Sequence, residues 1–412
     1  MILCVQTKHP FSYHAQSVTG TILADIDSLS KPIRKFLSTV FSQWWSVVGR
    51  YNFINISRFM DYSEQALRNS FARGFDFFEF NRQLVKRYGS KEIFLGFDPT
   101  HISKSGKHTH GLDYFWSGKE QRVKKGLELG CLAAIDVKNK TGFHLAAVQT
   151  PASQERKKNK RSLIGYYRDF ILSQINALKK ISIRLVADGY FMKKQFILPL
   201  VKQGMTVITK MRSDANLRYL PEGKQKKGRG RKKKYGQKVN WKNLNMDKWT
   251  KLFSNKEESA YTAMLYCVML KMNARIVYVK NRKTGGHGIF LCTDVTMDAH
   301  KIYHYYRLRF QIEFLIRDAK QYSGLEHCQA RDKKKLHFHF NLSLTNASIA
   351  KAQYYLSIPK KERNAFSLQD IKRMEYNKLI ADFIFENLEA DLNCRKIKRL
   401  YTQCANFGRL VD

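Results

Sequence analysis

The spacing of apolar residues changes character several times along this chain. From residue 1 to about residue 87 they recur at helical intervals. Ile54–Phe59 and Ser63–Phe71 read as two short helices joined by a tight turn, with Ser63 as an N-cap. Such a pair resembles a helix-turn-helix whose second helix could enter a major groove, although a plain helical hairpin has the same pattern. Continuous apolar runs follow at Ile93–Phe97, Leu129–Ile135 and Phe143–Val148, as buried strands require. A helix is expected over about Ser162–Lys179, a strand over Ile183–Ala187, a helix from near Tyr190, and a strand at Val207–Thr209. Strands alternating with helices predict an α/β sheet covered on both faces.

The pattern breaks between about Leu217 and Asn240. It resumes as strands at Tyr261–Met269, Ala274–Val279 and Ile289–Cys292, with a turn at Gly285-Gly286. A helix is then expected from about Met297 to Gln321, and another from Asn341 to Leu356. The remainder reads as helical and charged, with a start near Ser367. On the Met297–Gln321 helix, Tyr306, Arg309, Glu313 and Lys320 fall within roughly 60° of one another. Leu308, Ile312, Leu315 and Ala319 form a separate apolar stripe. An acid between cations and a phenol, backed by a core face, suits cation binding beside a phosphate backbone. The ordinary reading of the same pattern is a solvated face with an Arg309–Glu313 pair.

Charge sharpens the picture. The 412 residues carry 74 basic and 34 acidic side chains, a net charge of +40. So large an excess favours a polyanionic partner, with nucleic acid first, and the basic residues are spread too widely for a membrane-surface helix. The hydrophobic share of 43% is that of a globular protein. No apolar run is long enough to span a bilayer, and Met1–Lys8 lacks the features of a signal peptide, so a cytoplasmic location without membrane is expected. Seven scattered cysteines without a Cys-x-x-Cys pair read as reduced thiols. His101, His108, His110, His337 and His339 lack zinc spacing.

Two aspartates change the weight of Glu313. Asp98 and Asp188 each follow an apolar strand, and ligands of open α/β sheets gather beyond strand carboxyl ends. Asp98, Asp188 and Glu313 together could ligate one or two Mg²⁺ ions, which prefer oxygen donors and keep positions open for phosphate. Lys224–Tyr235, with Arg229, Arg231, Lys232, Lys233 and Lys234, reads as a basic run that is usually a solvated loop and often also contacts phosphate, and it is expected to lie along DNA when DNA is present.

At this point the residues resemble a known family. Tyr306-x-x-Arg309-x-x-x-Glu313, followed after six residues by Lys320, is similar to the signature of the insertion-sequence 4 transposase family. Asp188-Gly-Tyr-Phe191 resembles its second acidic motif, and Asp98 followed by Ser103-Lys-Ser-Gly106 its first. Gly324–Arg331 resembles the usual continuation. The likeness covers about Lys91 to Leu356. It implies a DDE transposase with a ribonuclease H-like core interrupted by a β-rich insertion. A helical DNA-binding segment (1–88) would precede the core (89–216 and 297–356), the basic loop and insertion would occupy 217–296, and a helical tail 357–412.

It also implies Asp98, Asp188 and Glu313 as metal-binding catalytic acids using Mg²⁺, with Mn²⁺ substituting. Tyr306, Arg309, Lys320 and Lys104 would contact DNA beside them. The substrates would be the terminal inverted repeats of a mobile element and a target duplex, held by a homodimer on DNA in the bacterial cytoplasm. Relatives pass through a hairpin intermediate and hold a flipped base on an insertion aromatic. Trp241 and Trp249 lie in that region, but neither falls clearly at that place, and structural burial is their ordinary reading. Two alternatives remain open: a domesticated DNA-binding protein without catalysis, and a ribonuclease H-like nuclease that cuts without joining. The tail is expected either to pair two copies through Ile380, Phe383, Ile384 and Leu388 or to pack on its own core.

Overall fold

The computed structural model describes residues 18–223, 233–358, 360–363, 365–391 and 393–410. Its centre is an eleven-stranded mixed sheet. The strands are β1 (Ile93–Ser103), β2 (Asp113–Ser117), β3 (Arg122–Asp136), β4 (Thr141–Gln149), β5 (Arg184–Ala187), β6 (Thr206–Met211), β7 (Leu217–Arg218), β8 (Thr250–Ser254), β9 (Glu258–Cys267), β10 (Met272–Asn281) and β11 (His287–Cys292). The order is β2-β3-β1-β5-β6-β11-β10-β9-β7, with β4 also on β3 and β8 on β9. β1 and β3 are antiparallel, whereas β1, β5 and β6 run parallel. This mixed α/β arrangement is consistent with a ribonuclease H-like core.

The strands of the expected insertion extend the same sheet. β11 pairs antiparallel with β6, from Ile289 opposite Met211 to Cys292 opposite Ile208. β1 is longer than its apolar run suggests. It continues through Asp98 and Pro99 to Ser103 because β3 pairs with it over that whole length. Asp98 therefore lies within a strand, not at its end. β5 pairs with β1 only as far as Phe97, so one edge of β1 is free beyond that point, and Pro99, which lacks an N–H, is tolerated there. Asp188 does follow the last residue of β5.

The principal helices are α1 (Lys31–Gln43), α2 (Glu64–Arg73), α3 (Phe77–Tyr88), α4 (Leu163–Ser173), α5 (Lys194–Lys202), α6 (Ala299–Leu308), α7 (Phe310–Tyr322), α8 (Lys333–Ser357), α9 (Leu368–Asn387) and α10 (Arg395–Asn406). α4 and α5 cover one sheet face, where Phe97 meets Tyr167 and Phe191. α7 and α8 cover the other. The expected Met297–Gln321 helix is α6 and α7, parted at Arg309, and α8 begins eight residues before its expected start at Asn341. The expected 162–179 helix breaks at Gln174, and a single 3-10 turn over Gly189–Phe191 precedes α5.

The N-terminal helices share this core. Phe71 and Phe77 pack on Phe338 of α8 at 4.4 and 5.0 Å. Trp44 donates to the Ser323 hydroxyl at 2.9 Å, and Asn81 to Thr345 at 2.9 Å. The first helix of the expected helix-turn-helix is one turn, Phe53–Ile56, and Ser63 caps α2 by accepting from the Ala66 amide. On α9, Leu368, Met374 and Ala381 face inward while Leu379, Ile380, Phe383, Ile384 and Leu388 stand in water. Among the described residues, no helix is long and apolar enough to cross a membrane.

Candidate active site

Helix α6 is a bracket between the sheet and its extension. Tyr305 stacks on Phe94 of β1 at 4.8 Å and donates to Glu92 at 2.7 Å. Tyr303 donates to Glu258 of β9 at 2.7 Å. Tyr306 packs on Phe290 of β11 at 4.7 Å and reaches across to donate to Asp188 at 3.2 Å. Three tyrosines within one turn thus fix the helix to β1, to the extension and to the second acid.

α7 carries Glu313 against β1 and β4 at two glycines. A Cβ on Gly96 would lie 3.3 Å from Ile135 and 3.9 Å from Ile312. A Cβ on Gly142 would lie 2.9 Å from the Gln311 carbonyl, closer than a side chain permits. Leu308, Ile312, Leu315 and Ala319 are all buried, as their stripe predicts.

Arg309 joins the three elements. It is 5% exposed, its Nη2 lies 2.8 Å from Glu313 Oε1, and its Nη1 lies 3.6 Å from Asp98 Oδ1. In this conformation its guanidinium pairs with both carboxylates, and one of these contacts is the Arg309–Glu313 pair that helical spacing allows. Burial opposes its charge, but Asp98, Tyr306 and Glu313 outweigh that and raise its pKa. Asp98 itself is pushed up to about 7, first by burial and then by the negative charges of Glu313 and Asp188, against the opposing pull of Arg309. The Tyr306 hydroxyl is raised by burial and by Asp188.

Asp98, Asp188 and Glu313 are thus tied into one cluster through Tyr306 and Arg309. Among the described residues, no three His, Cys, Asp or Glu side chains are near enough to hold one ion together. The donors nevertheless fit a hard divalent cation. Burial, reinforced by the charges of Glu313 and Asp188, raises the pKa of Asp98, and the Nε and Nη1 of Arg309 are buried without a hydrogen bond. The first marks an acid without full charge compensation, and the second marks donors without an acceptor.

Lys320 and Lys104 bind backbone. Lys320 donates to the His101 carbonyl and pairs with Glu326 at 3.2 Å. Lys104 donates to the Cys328 carbonyl. The loop after α7 is thereby fastened to the far end of β1, an anchorage that side-chain spacing alone does not reveal. Arg229, Arg231 and Lys232 lie outside the described residues, while Lys233 and Lys234 are exposed. Trp249 is buried, and half-buried Trp241 donates to the Ala215 carbonyl at 2.7 Å, so both have structural partners. Sequence reasoning missed Phe310 and Phe314, large exposed rings that project together on one side of Glu313. Their position off the apolar stripe was the available signal.

Residues 97–349 match the family model described as a transposase DDE domain. No curated protein matches the chain.

Proposed function

The chain belongs to the transposase DDE-domain family, and from that membership we propose that it binds the ends of a mobile DNA element, cuts them and joins them to a target. DDE transposases generally use divalent metals such as Mg²⁺. The observation that carries the reading is the pairing of one buried guanidinium with both Asp98 and Glu313, beside Asp188 held by Tyr306.

Asp98, Asp188 and Glu313 would hold the metal, Mg²⁺ or Mn²⁺ in its place. When bound, it would activate the attacking oxygen and stabilise the leaving one. Arg309 keeps Asp98 and Glu313 from repelling one another, and its unbonded nitrogens offer donors to a phosphate entering the cluster. Tyr306 fixes the rotamer of Asp188. Lys320 and Lys104 keep the loop after α7 against β1 and place positive charge beside the entering backbone. The N-terminal helices and the 224–234 run would supply further DNA contacts. The insertion-sequence 4 group accounts best for the spacing of Tyr306, Arg309, Glu313 and Lys320.

The test uses full-length protein and supercoiled plasmid carrying candidate element ends. Cleavage and joining should need Mg²⁺ or Mn²⁺ and should vanish in Asp188→Asn. Cleavage without joining would favour a simple nuclease. Binding without either would favour a DNA-binding protein that no longer catalyses.

A further inference from the structure

Of the five tryptophans, Trp44, Trp45 and Trp249 are buried and Trp241 is half-buried. Trp116 is 55% exposed, on the β2–β3 hairpin, beside Tyr114 at 66% and Val123 at 59%. Antiparallel register places Tyr114 opposite Lys125 and Trp116 opposite Val123, so the four side chains form one face. The other face is anchored, with Phe115 and Ser117 buried.

That outward face continues the catalytic one. Asp98 is opposite Cys131, and side chains alternate along a strand, so Cys131, Lys125 and Val123 project to the same side of β3. Ile102, Leu127 and Leu129 cover the interval within the core. Six residues of β3 separate Cys131 from Lys125, roughly 20 Å, or about six base rises of DNA.

The surroundings are cationic. Lys119, Arg122, Lys124 and Lys125 stand on the hairpin, with Glu120 paired to Arg122 and Lys124. Asp113, at the start of β2, accepts from the Ser153 amide. Asp113 shares the buried face of Phe115, so the segment it pins, with Arg156, Lys157, Lys158, Lys160 and Arg161, lies behind the hairpin, on the side away from Trp116.

We propose that the β2–β3 hairpin is a DNA-binding ribbon on which unpaired bases stack against Trp116 and Tyr114, while Lys125 and the turn residue Lys119 hold the phosphates. The proposal rests on the reading that DNA is processed at the Asp98 cluster, and it names where an unpaired strand leaving that cluster is held. Flat exposed rings among cations are the elements of a base-stacking surface. Duplex DNA offers no free base face for them. A second copy of the chain would bring the same cations against this patch, so charge favours a polyanion.

The experiment measures binding of full-length protein to a fluorescent twelve-nucleotide oligothymidine and to a duplex of equal length, while Trp fluorescence is followed. The single strand should quench the exposed indole. Trp116→Ala should weaken single-strand binding about tenfold or more and leave duplex binding unchanged, and Trp116→Phe should retain most of it. Lys119→Ala with Lys125→Ala should lower the salt slope for the single strand. Unchanged single-strand affinity in Trp116→Ala, or equal loss for both probes, overturns the ribbon. A fall in oligomeric mass caused by Trp116→Ala, with single-strand affinity kept, overturns it in favour of a second copy of the chain. Metal-dependent plasmid cleavage by the wild type separates the two claims. If it occurs and Trp116 does not matter to the single strand, the ribbon alone fails. If Trp116 binds the strand and no cleavage occurs, the catalytic reading alone fails.

Discussion

Arg309 occupies the position where acid repulsion would otherwise be greatest, and its removal separates two effects. In Arg309→Met the carboxylates of Asp98 and Glu313 lose their shared cation. Breaking a fully buried pair costs about 3–5 kcal/mol, and the partial exposure of Glu313 reduces the expectation to about 1–3 kcal/mol. Added Mg²⁺ should then raise Tm more in the variant than in the wild type, because the acids can bind it without competition from the guanidinium. Scanning fluorimetry with and without Mg²⁺ measures this, and an identical Mg²⁺ shift in both proteins would count against a metal at these acids. Lys320→Ala should lower end cleavage, and because Lys320 bonds the His101 carbonyl it should also cost about 1 kcal/mol of stability. A variant that melts lower and cuts normally would make Lys320 structural only.

Elements set the position of Glu313 through close approach. Gly142→Ala places a methyl against the Gln311 carbonyl of α7, and backbone must move to admit it. Overpacking of this kind costs about 1–3 kcal/mol, and the displaced helix carries Glu313 with it. Cleavage should therefore fall more than tenfold in protein that is still folded at the assay temperature, as circular dichroism can verify. A second prediction concerns the contact of β4 with α8. His144 is buried, with Nε2 at 3.0 Å from Asn341 Oδ1, and burial lowers its pKa to about 3. The unfolded chain takes up a proton near pH 6.5 that the folded chain refuses. Stability is full above that value and is lost as pH falls toward 3, with about 2 kcal/mol gone at pH 5. His339, lowered to about 4 by burial, acts in the same direction. Urea unfolding at pH 7.5 and 5.0 should show the loss, and His144→Gln should reduce the difference between the two pH values whatever its own baseline.

At the scale of the molecule, a charge of +40 opposes association of the free protein, and DNA removes that opposition. The tail packs on its own core and keeps the face proposed for pairing exposed. One face of α9 packs at home, where Tyr322 donates to Gln369 at 3.2 Å, and the opposite face exposes Phe383 and Leu388. Light scattering should find a monomer without DNA and at least a dimer on element-end DNA. Phe383→Glu with Ile384→Lys should leave the monomer folded and prevent the dimer. A single copy that completes strand transfer would defeat the paired assembly.

The sequence by itself determined what depends on local order. Apolar runs fixed the central strands β3, β4, β5 and β11, and helical spacing fixed which face of α7 is buried. The residue types at Tyr306, Arg309, Glu313 and Lys320 supplied the family resemblance. What only the tertiary structure decided depends on partners distant along the chain. Asp98 is carried inside a strand because β3 pairs past it. Strands β8 to β11, expected as a separate insertion, extend the main sheet because β11 pairs with β6. Arg309 is buried against Asp98 of β1 as well as Glu313 of its own helix because α7 packs on β1. Hydrophobic periodicity records whether a side chain meets water or core. It does not record which distant element meets a charge, so the Arg309–Glu313 pair was legible and the contact of Arg309 with Asp98 was not.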